Sequence, residues 1–245
     1  TIFSGGAVVD RFNSSGFKTG KEDPIVCFYT YAGGENPWSN GQPYTQAIAY
    51  SNDRGRTFTK YEGNPIIGHI RGGNRDPKVI WHEPTKKWVM VLYVEEHDMD
   101  FFTSTDLKKW EHTSRLKSFH ECPELFELPI DGDEKITKWV IYGADENYFI
   151  GSFDGREFKP ETKSLRFNYG NAFYASQTFS DIPEEDGRRV LMGWGRVPMH
   201  DMPFNQLVSF PIVLTLRTTD EGFRMFAEPV EEIANIHKKK HTLKN

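Results

Sequence analysis

Two short segments carry residues of the kind that do chemistry on sugars. "GGNRDPKVIW" at 72–81 sets Arg75 and Asp76 just before a proline and an apolar run, and "ECPELFEL" at 121–128 sets Glu121 and Cys122 in the same relation to another. An ionised carboxylate can stabilise positive charge growing on a sugar ring, whereas a carboxylic acid that keeps its proton can donate it to a leaving oxygen. Two further segments, "FSGGAVVD" with Phe3 and Ser4 and "YASQTFSD" with Tyr174 and Gln177, add aromatic rings, a hydroxyl and an amide. Such groups bind sugar hydroxyls and C–H faces. Singly, each segment is ordinary: Arg-Asp-Pro is a common turn, and a glutamate at a strand edge is usually solvated. Their conjunction is informative because all four fill one slot of a repeated unit.

That unit is a polar motif, a β-rich run, a turn cluster and a second β-rich run. Four copies can be read: "FSGGAVVD" to "IVCFYTY", "RDPKVIW" to "WVMVLYV", "ECPELFEL" to "WVIYGA", and "YASQTFSDI" to "VLMGWGR". A second pattern, Ser-x-Asp followed by an aromatic residue, recurs in "SNDRGRTF", "STDLKKW" and "SFDGREF". Its Asp residues have a structural job, bonding their own turns while the aromatic residue packs between sheets. A period of about 50 residues with roughly four strands per unit describes the blades of a β-propeller. In such a fold the inner strands start near one axis, so the four polar motifs converge on one funnel.

Composition narrows the function classes. With 37% hydrophobic and 14% aromatic residues, the 245-residue chain reads as all-β with many short strands. A net charge of −5 argues against a nucleic-acid surface, and the one dense basic run, "HKKKH" at 237–241, reads as a solvated tail. No apolar stretch approaches the ~20 residues that span a bilayer, and no leader pattern opens the chain. Cys27 and Cys122 lie far apart without metal-like spacing, so neither a disulfide framework, a metal nor a cofactor is indicated. The eight histidines are scattered and read as surface or packing residues. The one helix candidate is "AEPVEEIANIHKKKH", with Val230, Ile233 and Ile236 at helical spacing.

Together with "GRRVLMGWGR" and "MPFNQLVSFPIVLTLR", the quoted segments resemble glycoside hydrolase family 32, the β-fructosidases that include invertases, levanases and inulinases, over essentially the whole chain and in order. The resemblance implies a five-bladed β-propeller followed by a β-sandwich, a retaining two-carboxylate mechanism, and a fructose-containing oligo- or polysaccharide as substrate. It implies that Asp76 stabilises the transition state, that Glu121 is the general acid/base, and that Arg75 holds sugar hydroxyls beside them. Cys122, beside the acid, counts among the substrate-binding residues; Phe3 and Ser4 match a substrate-pocket pair; Trp194 matches the apolar wall, and Tyr174 is a second candidate for that wall. As the acid, Glu121 is expected to have its pKa raised by burial or by a neighbouring carboxylate. Glu121 is preferred to Glu124 because residues an odd number apart face opposite sides of a regular strand.

One departure qualifies the match. The family's Asn-Asp-Pro-Asn motif, whose Asp is the nucleophile, is absent, so residues 1–230 are expected to hold about four blades without the first, and 231–245 to be a linker or tail towards a β-sandwich. On that reading these residues alone are expected to lack turnover and to be marginally folded or self-associated, with Asp10, Asp145 and Glu146 as substitute nucleophiles if turnover is found. Compartment is left open. Two other readings compete: a non-catalytic sugar-binding remnant, and a sialidase-like propeller, suggested by the turn at 51–58 but lacking that class's three arginines and tyrosine nucleophile.

Overall fold

The computed structural model describes residues 1–239 and 241. Strands β1 (Ile2–Val9), β2 (Ile25–Tyr31), β3 (Thr45–Ser51) and β4 (Thr59–Lys60) form one antiparallel sheet in chain order. Strands β5 (Arg75–His82), β6 (Lys87–Glu95), β7 (Asp98–Ser104) and β8 (Glu111–Lys117) form the next. The third quartet is β9 (Glu124–Ile130), β10 (Asp133–Tyr142), β11 (Asn147–Phe153) and β12 (Phe158–Pro160), with the two-residue β13 (Leu165–Arg166) beside β11. The fourth is built from β14 (Phe173–Thr178), β15 (Arg189–Gly195), β17 (Ile212–Thr219) and β18 (Gly222–Pro229), with β16 (Leu207–Val208) beside β15. The result is an incomplete β-propeller, as the repeats predict. The last two quartets are not separate, however. Asp131, in the turn after β9, accepts bonds from the Thr218 N–H and hydroxyl and donates its own N–H to the Leu216 carbonyl, which draws β17 alongside β9 into one ten-stranded sheet.

Alternation along the strands explains how the blades stack. In β6, "KWVMVLYVE", Trp88, Met90 and Leu92 enter a core shared with Val8, Val26, Phe28 and Ile48 of the first blade. The intervening Val89 and Val91 enter a core shared with Leu125 and Ile141 of the third. A strand buried on both faces therefore reads as one continuous apolar run. The same device repeats in β9 and β10, where Phe126, Val140 and Tyr142 turn towards Leu191, Leu214 and Leu216 of the fourth blade. Each such side chain contributes about 1.5–3 kcal/mol on burial. The fourth blade leaves Trp194, Leu207, Val208 and Phe210 exposed.

The Ser-x-Asp segments are turns: Asp53 accepts from the Ser51 and Thr57 hydroxyls, Asp106 from the N–H groups of Lys108 and Lys109, and Asp154 from those of Arg156 and Glu157. Their aromatic residues differ, since Phe158 is buried and Trp110 packs on the first core while Phe58 stays exposed. The helix expected from Ala227 is corrected: Ala227, Glu228 and Pro229 pair with β17, and only Glu231–Ile236 coils, as a 3-10 turn. The ladder with β17 outweighs the weak helical spacing of three apolar residues. Of the basic run, Lys240 lies outside the described residues, as do 242–245 of the expected linker. No helix among the described residues is long and apolar enough to cross a membrane.

Where β5, β9 and β14 meet, the Lys78 ammonium lies 3.0 Å from Glu124 Oε2 and also donates to the Thr178 carbonyl, while the Thr178 N–H and hydroxyl donate to the same carboxylate. Glu124 is fully buried. Removing one partner of a buried pair leaves an uncompensated charge, at about 3–5 kcal/mol. Lys78→Met is therefore expected to lower the urea midpoint by that equivalent, and the double change Lys78→Met, Glu124→Leu to recover most of it. A Lys78→Met chain as stable as wild type would show that the pair does not tie the blades.

Candidate active site

Three of the four polar motifs sit where an inner strand departs from regular pairing, and the fourth lies just before its strand. The register of β1 slips between Phe3 and Gly5, that of β5 between Arg75 and Lys78, and that of β14 between Tyr174 and Gln177. A bulge places an extra residue on one strand and re-aims the side chains beside it. The backbone is left-handed at Asp76 (φ 62°) and Ala175 (φ 47°), and again at Glu121 (φ 28°) and Cys122 (φ 44°), which precede β9. Non-glycine residues hold this conformation only when their surroundings impose it. At Gly5 a Cβ would meet the Phe28 carbonyl oxygen at 1.9 Å, so only glycine lets β1 slip past β2 there.

Buried hydrogen bonds fix Asp76. Its N–H donates to the Thr30 hydroxyl at 3.1 Å, Thr30 donates to Gln46 Oε1 at 2.7 Å, and the Gln46 amide donates to the Asn74 carbonyl at 2.9 Å. The carboxylate accepts from the Cys122 N–H at 3.2 Å and from its thiol at 3.4 Å. Arg75 gives Nε and Nη2 to Glu121 Oε2 at 2.8 and 2.5 Å, lies 3.7 Å from Asp76 Oδ2, and stacks 4.6 Å above the Tyr93 ring. The Tyr174 hydroxyl donates to Glu121 Oε1. Arg75, Asp76, Glu121, Cys122 and Tyr174 thus form one contacting cluster.

Beside it lies a cavity of about 640 Å³, lined among others by Ser4, Cys122, Gln177, Phe179, Trp194 and Val208. Tyr174 pairs across the sheet with Trp194, their rings edge-on at 6.3 Å. Trp194 lines the cavity, and Tyr174 beside it donates to Glu121. Phe3 is not brought to the cavity, and its ring packs edge-on against Tyr44. Gln177 donates to the Gly5 carbonyl and so ties β14 to β1. Of the substitute acids, Asp10 is bound by Ser14 and Ser15 at the far end of β1, while Asp145 and Glu146 follow Ala144, whose N–H donates to the carbonyls of His120 and Glu121. No group of three or more His, Cys, Asp or Glu among the described residues is placed to hold a metal.

Two expectations are corrected. Strand alternation does not separate Glu121 from Glu124, because β9 begins at Glu124 and Glu121 lies before it on left-handed backbone; what separates them is that Glu124 is committed to Lys78. Nor is the Glu121 carboxyl raised: burial pushes it up, but the Tyr174 hydroxyl and the Arg75 guanidinium outweigh burial and hold it below the usual range. Asp76 goes the other way, since burial lifts its pKa against the pull of the Cys122 N–H and Arg75. Thr30, Gln46 and His120, which touch this cluster, carry no sequence motif; only neighbours remote in the chain reveal them.

The raised Asp76 has a consequence for stability. An acid whose folded pKa exceeds its unfolded one destabilises the native state at neutral pH, and the penalty fades as pH falls through the folded value towards the unfolded one. Asp76→Asn, which removes the buried charge, is expected to raise Tm at pH 7. The gain should shrink to nothing near pH 3, and a constant or negative difference across that range would contradict it.

The geometry can be compared with known proteins. Residues 1–229 match the model of the glycosyl hydrolases family 32 N-terminal domain. The chain is 42% identical to a levanase of Bacillus subtilis over 96% of its own length and 38% of the levanase, and 41% identical to an extracellular exo-inulinase of Meyerozyma guilliermondii over 76% of the chain and 38% of that enzyme. It therefore spans about 38% of the length of these relatives. Among solved structures it resembles an exo-inulinase from Aspergillus awamori (TM-score 0.84, 29% identity, 98% of this chain and 55% of that one). It also resembles a fructofuranosidase from Schwanniomyces occidentalis complexed with fructose (TM-score 0.80, 35% identity, 94% and 49%). A match over nearly the whole chain, with the incomplete propeller and the clustered carboxylates, places the chain in glycosyl hydrolase family 32.

Proposed function

We propose that the protein to which this chain belongs hydrolyses β-D-fructofuranosidic bonds of sucrose or of fructans, with retention. The observation that carries the reading is the cluster in which one guanidinium joins Asp76 and Glu121 beside a cavity walled by Trp194. Asp76, held by the Cys122 N–H, is the fixed negative charge facing the positive charge that develops on the fructosyl ring. Glu121 is the acid that protonates the leaving oxygen and the base that later activates water. Its ionisation when held by Arg75 and Tyr174 is then the resting condition. A further carboxylate brought close raises its proton affinity, because two like charges are not both easily maintained. In this proposal that carboxylate is the nucleophile, carried outside these residues on the remaining blade, about 5–5.5 Å from Glu121.

Serving only to bind sugar is the second reading, favoured by the fact that both Glu121 oxygens are occupied by donors. Residues 1–230 would then act as a binding unit, with self-association through the incomplete propeller. Hydrolysis of sucrose, inulin, levan and a sialoside, with fructose binding measured alongside, separates these readings. In the enzyme with its remaining blade, the first fructose released is expected to keep its anomeric configuration by NMR, and an inverted product would overturn the mechanism. Glu121→Gln is expected to cut kcat/KM by ~10²-fold or more, with Glu124→Gln acting mainly on stability; the reverse ranking would reassign the acid.

A further inference from the structure

His120 immediately precedes Glu121, and its ring is held in one orientation. The Tyr93 hydroxyl lies 3.2 Å from the Glu96 carbonyl and 3.3 Å from His120 Nδ1. With its proton given to the Glu96 carbonyl, the hydroxyl oxygen can accept from His120, an arrangement that needs the imidazole proton on Nδ1. Its Nε2 is turned the other way, 3.8 Å from Glu121 Oε1. The ring also packs edge-on to Tyr93 at 5.4 Å, and its backbone carbonyl is bound by the Ala144 N–H.

We propose that His120 is a positioning residue for Glu121: the Tyr93 hydroxyl aims its Nε2 at Glu121 Oε1, where the protonated ring is a second cation beside Arg75 and the neutral ring is not. The assignment of Glu121 as the acid is the reading on which the functional side of this rests. The titratable or charged groups facing the pair are Tyr93 of β6, His97 in the turn after β6 with its ring 6.4 Å from that of His120, Arg75 and Asp76 of β5, Cys122, and Tyr174 of β14. Arg75 and Tyr174 are committed to Glu121 by direct hydrogen bonds, whereas His120 faces it without one. Its side chain is 41% exposed, which lets it exchange protons with solvent. At 3.8 Å the two interact by charge: the imidazolium favours the carboxylate, and the neutral ring leaves Glu121 freer to keep its proton. The same side chain therefore supports the acid on the alkaline side and opposes it on the acidic side.

Two measurements on the chain itself test this, and neither needs turnover. Ring nitrogen–proton correlation spectra at neutral pH should show neutral His120 as the Nδ1–H tautomer, and the Nε2–H tautomer would overturn the proposal. A carbon-13 titration of the Glu121 carboxyl, assigned by its disappearance in Glu121→Gln, gives the second readout. His120→Phe, which keeps a ring and removes the imidazole nitrogens, should move the Glu121 midpoint up. His97→Phe should leave it unchanged. An unmoved midpoint in folded His120→Phe also overturns the proposal. Should that variant not fold, Tyr93→Phe serves instead: loss of the fixing hydroxyl should let the tautomers mix, and an unaltered tautomer would tell against the anchor. Failure of these tests leaves Glu121 as the acid untouched, and absence of fructosidase activity leaves the coupling standing.

Discussion

A single guanidinium holds the mouth of the channel together. Asp76 and Glu121 come from different blades, and two carboxylates drawn to one axis repel unless a cation stands between them. Arg75 supplies it, with two N–H bonds to Glu121, a 3.7 Å approach to Asp76 and a ring beneath its face. Arginine suits the place better than lysine because a planar fork engages one partner while its flat face stacks on an aromatic ring. Below it, the Lys78–Glu124 pair repeats the arrangement as a cation from β5 matched to a carboxylate at the start of β9.

Both levels depend on backbone that regular strands do not provide. Left-handed residues at Asp76, Glu121 and Cys122 turn the carboxylates inward, at about 1–3 kcal/mol for each strained residue. Three inter-blade cores with fully buried residues such as Met90, Leu125 and Leu214 supply stability on the scale needed to hold them. The network from Asn74 through Gln46 and Thr30 to Asp76 is the local part of that restraint. Rigidity here serves the chemistry, because charges act most strongly on a transition state when no reorganisation is required of them.

Environment also divides the labour between two side chains of similar intrinsic acidity. Asp76 lies deep and accepts from the Cys122 backbone and thiol, while Glu121 lies nearer the surface and accepts from a phenol and a guanidinium. Burial dominates in the first case and donors in the second, so their pKa values move in opposite directions. Residues at the periphery, His120 among them, then act on the more exposed of the two.

Much of this was legible in the sequence because it depends on period. Alternation within short strands, a repeat of about 50 residues and four polar motifs in one slot yield the blades and bring Arg75, Asp76, Glu121 and Cys122 together. The Ser-x-Asp turns were readable for the same reason, being closed within a few residues of one another. Features made by neighbours distant in the chain were not readable: the joining of the last two blades through Asp131 and Thr218, the burial of Glu124 against Lys78, the Tyr174 bond to Glu121, and the Tyr93 anchor of His120. Nor did any pattern report that Glu121 precedes its strand on left-handed backbone, or that Phe3 packs on Tyr44 instead of facing the cavity. Sequence by itself determined which segments converge, since that follows from local periodicity; only the tertiary structure decided what each side chain meets there, and hence the direction in which its pKa moves, since that follows from packing between blades.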